Sequence, residues 1–329
     1  MKHITIVVPD CIVNLNSVGG TYEILTRAND YWKRAGNNDG IEVQIASFKS
    51  ELKSHGNYLA IHPVPIRKIR KTDMVIVPSI IEDPVKAIQR NKALIGWIRE
   101  RYKNGAEIAS ICSGGFLVAA TGLLEGKACS IHWNKADQFR SMFPLVTVAQ
   151  DRIITEENGI YTNGGAYSFL NLVLFIVEKL FDRGTAILCS KVFQIDIGRT
   201  TQSPFSIFQI QKDHGDEVVS KAQMYIEDHL EAKISFEELA SEFAVSRRNF
   251  DRRFIKATGN TPVEYLQRVK VEAAKKELER GRKTIFEIMN DVGYSDDKAF
   301  REVFRKVTGL SPMEYKSKYS RAGIGYSPR

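Results

Sequence analysis

Two sets of residues in the 329-residue chain have types and spacings that could do chemistry. The first is RRNFDRRF (247–254). On a helix, Phe250 and Phe254 stand four apart and share a buried stripe, while Arg248 and Arg252 share another face, with Arg247 and Asp251 flanking it. A guanidinium presents a planar fork of donors that matches N7 and O6 of guanine in the major groove. The second is Cys112, which ends the apolar run EIASIC and is followed by Ser113, two glycines and a helical pattern. A thiol at such a strand-to-helix elbow meets the positive end of a helix, which favours the thiolate. The plainer alternative is a small apolar residue filling a tight turn.

The arginines need a scaffold, and a repeat supplies one. NFDRRFIKATGNTPVEYLQ (249–267) recurs fifty residues on as AFREVFRKVTGLSPMEYKS (299–317). Each copy follows a short amphipathic stretch, 234–244 and 284–294, for which Ser235 with Glu238 and Thr284 with Glu287 predict capping boxes. A helix, a turn of three to four residues and a second helix is the helix-turn-helix plan. Upstream, short apolar runs alternate with helical patterns: strands at 3–8, 41–48, 73–80 and 107–112, weaker ones near Ala128 and Gly159, and helices at about 20–34, 84–102, 114–121 and 167–181. Strands that are apolar throughout and separated by helices imply a parallel sheet covered on both faces. Residues 199–215 lack periodicity and read as a linker. The organisation expected is 1–198, a linker, a helical domain over 216–320, and a flexible tail at 321–329.

A net charge of +8 and a pI near 9.2 suit a polyanionic partner. Yet 216–329 holds 22 Lys and Arg against 19 Asp and Glu, so placement rather than net charge must carry the argument. The four cysteines include no CxxC pair, which predicts no zinc site, no disulfide framework and a reducing cytoplasm. No apolar run is long enough to span a membrane, and no cofactor is called for.

Residues 216–320 resemble the DNA-binding domain of the AraC/XylS family through SRRNFDRRFIKATGNTPVEYLQRVKVEAAKKEL and TIFEIMNDVGYSDDKAFREVFRKVTGLSPMEY. The resemblance implies seven helices, one of them joining two helix-turn-helix units. It places base contacts at Arg247, Arg248, Asp251 and Arg252, and at Asp297, Lys298, Arg301 and Glu302. Glu302 departs from the arginine usual there, so the first unit should supply more affinity. Residues 3–195 resemble the ThiJ/PfpI superfamily, a branch of the class I glutamine amidotransferase-like folds, through IASICSGGFLVAATGLLEGKACSIHW and GIYTNGGAYSFLNLVLFIVEKL. That likeness implies a flavodoxin-like α/β sandwich with Cys112 at the nucleophile position and His132 able to approach it. The acidic residue that hydrolytic members place after the first strand is missing from CIVNLN (11–16), and Asn171 stands where related regulators commonly have Asp.

The combination resembles the GlxA-like regulators. It implies a non-enzymatic, sequence-specific regulator of transcription that binds double-stranded promoter DNA, with a first domain that senses a small molecule near Cys112, Ser113 and His132 or forms a homodimer, and with scope for RNA polymerase contact. The competing reading is a cysteine hydrolase, hydratase or thiol redox sensor built on Cys112.

Overall fold

The computed structural model describes residues 1–50, 52–53, 60–212 and 214–320; the expected tail at 321–329 lies outside the described residues. The chain divides into two compact units, Met1–Gln202 and Ser203–Arg329.

The first unit is built on a seven-stranded sheet of β1 (Lys2–Val7), β2 (Ile41–Ser47), β3 (Val64–Pro65), β4 (Met74–Val77), β5 (Glu107–Ile111), β6 (Ile154–Glu157) and β7 (Ile160–Asn163). Their order is β6-β7-β5-β4-β1-β2-β3. All neighbours are parallel except β6 with β7. Every residue of MVIV in β4 is buried, as an apolar strand covered on both faces requires. Helices α1 (Leu15–Arg34), α6 (Phe169–Leu180) and α7 (Arg183–Val192) form one packed group. A second group holds α2 (Pro84–Arg90), α3 (Lys92–Lys103) and α4 (Gly115–Ala119), and α5 (Ala136–Met142) packs its Phe139 edge-on against Phe116 of α4.

One expectation is corrected here: the helix read over 84–102 is two helices. Buried Asn91 parts them, because its Oδ1 accepts the Asp10 amide at 2.7 Å and its Nδ2 donates to the Ala87 carbonyl at 2.8 Å. A short amide side chain that satisfies backbone groups competes with helix continuation.

The second unit holds seven helices among the described residues: α8 (Glu217–Asp228), α9 (Phe236–Glu242), α10 (Arg247–Thr258), α11 (Pro262–Arg280), α12 (Ile285–Asp291), α13 (Asp297–Thr308) and α14 (Pro312–Tyr319). Most matched positions of the repeat now have a physical reason. Phe250 and Phe254 fill one core and Phe300 and Phe304 the other. Tyr265 meets Phe254 edge-on at 5.2 Å, as Tyr315 meets Phe304 at 5.5 Å, and their hydroxyls donate to Glu227 and Glu279. Such pairs contribute about 1 kcal/mol beyond burial. Thr258 and Thr308 each donate to the carbonyl four residues back, and Gly259 and Gly309 end their helices at φ +70° and +74°.

Thr284 with Glu287 forms a full capping box, whereas Ser235 only accepts the Glu238 amide, at 3.3 Å. The repeat adds two boxes that the sequence reading passed over, Thr261 with Glu264 and Ser311 with Glu314. Among the described residues no helix is long and apolar enough to cross a membrane, and no cluster of His, Cys, Asp and Glu could hold a metal ion.

Candidate DNA-reading face and effector pocket

The arginines of α10 are set by its packing. With Phe250 and Phe254 fully buried, Arg248 and Arg252 are forced outward, and both are exposed. Arg252 donates from Nη2 to Asn249 Oδ1 of its own helix at 3.0 Å. Arg247 is differently placed. Its Nε donates to Asp251 at 2.8 Å, its Nη1 to Glu237 of α9 at 2.9 Å, and its guanidinium lies 5.5 Å from the centre of the Phe236 ring. Arg247 and Asp251 therefore tie the reading helix to the helix that precedes it. Of the four positions in the first helix-turn-helix unit, Arg248 and Arg252 offer the outward donors.

In the second unit Lys298, Arg301 and Glu302 are all exposed on α13. The Nε of Arg301 is held by both oxygens of Asp297, at 2.9 and 2.7 Å. Two carboxylates, Asp297 and Glu302, share that face, so its field is less positive than that of α10.

A positioning pair escaped the sequence reading. Arg253 grips Asp216 with two bonds of 2.8 and 2.7 Å, joining the back of α10 to the residue that caps α8. The bonds from Arg253 hold the Asp216 carboxyl below its usual range. A separation of 37 residues leaves no local pattern by which to find it.

In the first unit the loop after β5 brings Cys112 to the sheet's carboxyl end at φ +50°, a strained conformation for a residue with a Cβ. It lines a cavity of about 190 Å³ with Ser79, Ile80, Glu82, Phe116, His132 and Lys135. Burial dominates the thiol and pushes it above its ordinary value, against the lowering effects of Ser79, Ser113 and Lys135. The favourable helix end inferred from sequence is thus outweighed by desolvation. Cys112 should accordingly react with iodoacetamide at neutral pH far more slowly than a free cysteine; labelling at the free-thiol rate, read by mass spectrometry, would contradict this placement.

Ser113 bonds within the protein, accepting the Ile80 amide at 3.0 Å and donating to the Ile80 carbonyl at 2.5 Å. His132 accepts the Asn134 amide at Nδ1, 3.2 Å, and burial lowers its pKa. A neutral ring so held carries its proton on Nε2, which makes it a donor rather than a base. The structure therefore brings Cys112, Ser113 and His132 to one cavity without an activated nucleophile. Asn171 lies elsewhere, donating to the Asp196 carbonyl at 2.6 Å, a bond that a carboxylate could not make.

Comparison with known proteins agrees with both halves. Residues 21–179 match the DJ-1/PfpI family and residues 239–318 the helix-turn-helix domain. The HTH-type transcriptional regulator CdhR of Pseudomonas aeruginosa is 24% identical over 76% of this chain and 73% of its own. The HTH-type transcriptional regulator GbdR of the same species is 22% identical over 67% of this chain, and the match covers 60% of GbdR. A solved structure from Vibrio parahaemolyticus, described as a transcriptional regulator protein, superposes with a TM-score of 0.53 at 25% identity, covering 58% of this chain and 98% of its own. In class the chain is a helix-turn-helix, DNA-binding transcription regulator. In particular it joins a DJ-1/PfpI domain, with a flavodoxin-like parallel sheet, to an AraC-type helix-turn-helix domain.

Proposed function

We propose that the chain is a one-component cytoplasmic regulator that reads promoter DNA through α10 and α13 and responds to a small molecule held beside Cys112 and His132. The observation that carries the reading is the exposed pair Arg248 and Arg252, held outward by two buried phenylalanines on the second helix of a helix-turn-helix. Base contacts fall to Arg248 and Arg252 in the first helix-turn-helix unit and to Lys298, Arg301 and Glu302 in the second. Arg247, Asp251 and Asp297 hold those side chains in place.

The cavity is smaller than the roughly 300–1,000 Å³ of sites for drug-sized ligands, so its occupant is a small metabolite. The Nε2 donor of His132 and the Lys135 ammonium favour a ligand with a carboxylate or carbonyl oxygen. The raised thiol and the missing acid make Cys112 part of the cavity wall rather than a nucleophile. An exposed apolar stripe on α7, Ile187, Leu188 and Val192, is a surface that a second copy would cover, which supports a homodimer. RNA polymerase contact belongs to the same reading.

Salt dependence tests it. If α10 and α13 place several cations on phosphates, the affinity of the full chain for a bound duplex should fall by about a factor of a thousand between 50 and 200 mM salt. Light scattering on the same complex should read two chains per duplex. A salt-insensitive affinity would count against groove docking, and one chain per duplex against the dimer.

A further inference from the structure

The segment that follows the first unit is the least patterned part of the sequence, yet it has a docked course. Pro204 accepts the Tyr319 hydroxyl at 3.0 Å, and Phe205 meets the Tyr319 ring edge-on. Both contacts are to α14, in the second helix-turn-helix unit. Two residues on, Ser206 accepts the ammonium of Lys275 at 2.7 Å, and the Phe208 amide donates to Glu272 at 3.1 Å. Lys275 and Glu272 belong to α11 and pair with each other at 2.7 Å; Lys275 is only 3% exposed. Phe208 then packs edge-on against Tyr265, 5.4 Å between centres, in the core of the first helix-turn-helix unit. Further on, the Gln211 carbonyl accepts from Gln223 of α8. One strand of chain thus touches the cores of both reading units and the helix that joins them.

Its upstream end is fixed as firmly. Gln202, 1% exposed, belongs to the first unit. Its Oε1 accepts the Trp133 amide at 3.2 Å and its Nε2 donates to the Ile131 carbonyl at 2.9 Å. Those two groups flank His132, which lines the cavity. The anchor and the brace are consecutive in sequence.

We infer that residues 203–208 are a brace setting the separation of the two reading helices, and that Gln202 is the positioning residue through which the cavity loop acts on it. The physical reason is economy of contact. A segment clamped at Tyr319, Lys275 and Tyr265 resists any change of angle along α11, whereas a pull at residue 203 acts first on the contact with α14. A ligand that moves the loop 131–133 shifts Gln202 and so biases the placement of α13 relative to α10. By linkage, DNA that requires one spacing must bias the loop in return. This inference rests on the reading of α10 and α13 as the groove-docking helices.

The test uses the full chain and a duplex selected by it from a random pool, with the spacer between the two half-sites then lengthened or shortened by one base pair. In Phe205→Ala and Phe208→Ala the preference for the native spacer should fall about tenfold, and in Phe205→Ala, whose ring packs on α14 alone among the contacts described, affinity for a duplex carrying only the first half-site should be unchanged. Phe205 is already 41% exposed, so the first variant keeps the fold. In the unaltered chain, adding the selected duplex should change amide exchange at 131–134, and Gln202→Ala should abolish that change. Intact spacer preference in both phenylalanine variants, or amide exchange at 131–134 indifferent to DNA, would overturn the inference. If the unaltered chain selects no bipartite duplex at all, it is the reading of the helices that fails.

Discussion

Arg248→Ala combined with Arg252→Ala should cost on the order of a hundredfold in affinity for the selected duplex, and little for an unrelated one. A bidentate guanidinium on guanine discriminates by about 1–3 kcal/mol, so two such contacts set that scale. The non-specific, phosphate-driven component should lose only about one unit of salt slope for each cation removed from a phosphate. The asymmetry is the point. Neither arginine supports the fold, since the only partner described for them is Asn249, on their own helix. Arg247→Ala should behave differently. It releases Glu237 and Asp251, loosens α9 against α10, and so lowers affinity for all sequences together. Filter binding on matched and scrambled duplexes separates the two patterns, and equal losses on both duplexes for the Arg248, Arg252 double variant would remove the assignment.

Gly293→Ala should destabilise the second unit by about 2–5 kcal/mol, the sum of a left-handed backbone and an overpacked contact. Gly293 has φ +70°, and an added Cβ would lie 2.6 Å from the Glu231 carbonyl oxygen and 2.7 Å from that of Leu230. Both obstacles are backbone and cannot rotate away. Gly293 also offers its carbonyl to the buried ammonium of Lys270 on α11, 3.3 Å away, so the displaced turn would lose that partner as well. At that size the melting temperature of the domain falls by about 10 °C or more. The equivalent turn in the first helix-turn-helix unit has Ala244 at φ +53°, a conformation that glycine adopts more readily, so Ala244→Gly should be neutral or mildly stabilising. Calorimetry on the two variants reads the opposite signs; an unchanged melting temperature for Gly293→Ala would show that the turn relaxes.

What the sequence could show and what it could not follow from the range of the interactions. The repeat, the two phenylalanine stripes and the alternation of strands with helices are local periodicities. They carried the fold class, the outward face of α10 and the elbow at Cys112. The break at Asn91 was illegible because its cause is a bond to Asp10, 81 residues away. The same holds for Arg253 with Asp216, and for the strap at 203–208, whose partners Tyr265, Lys275 and Tyr319 lie 57 or more residues downstream. The thiolate was over-read for a related reason. A helix end is visible in sequence, but the burial that outweighs it is a property of the assembled sheet. His132 could be placed near Cys112 by resemblance, while its tautomer depended on a backbone amide two residues on.

Selection from random duplexes by the full chain at moderate salt is the most direct measurement of whether α10 and α13 read DNA. Two half-sites with centres about one helical turn, roughly 10 base pairs, apart should be enriched. Guanines in the half-site read by α10 should lose their enrichment when Arg248 and Arg252 are replaced. A pool that emerges as random as it entered would contradict DNA reading by these helices.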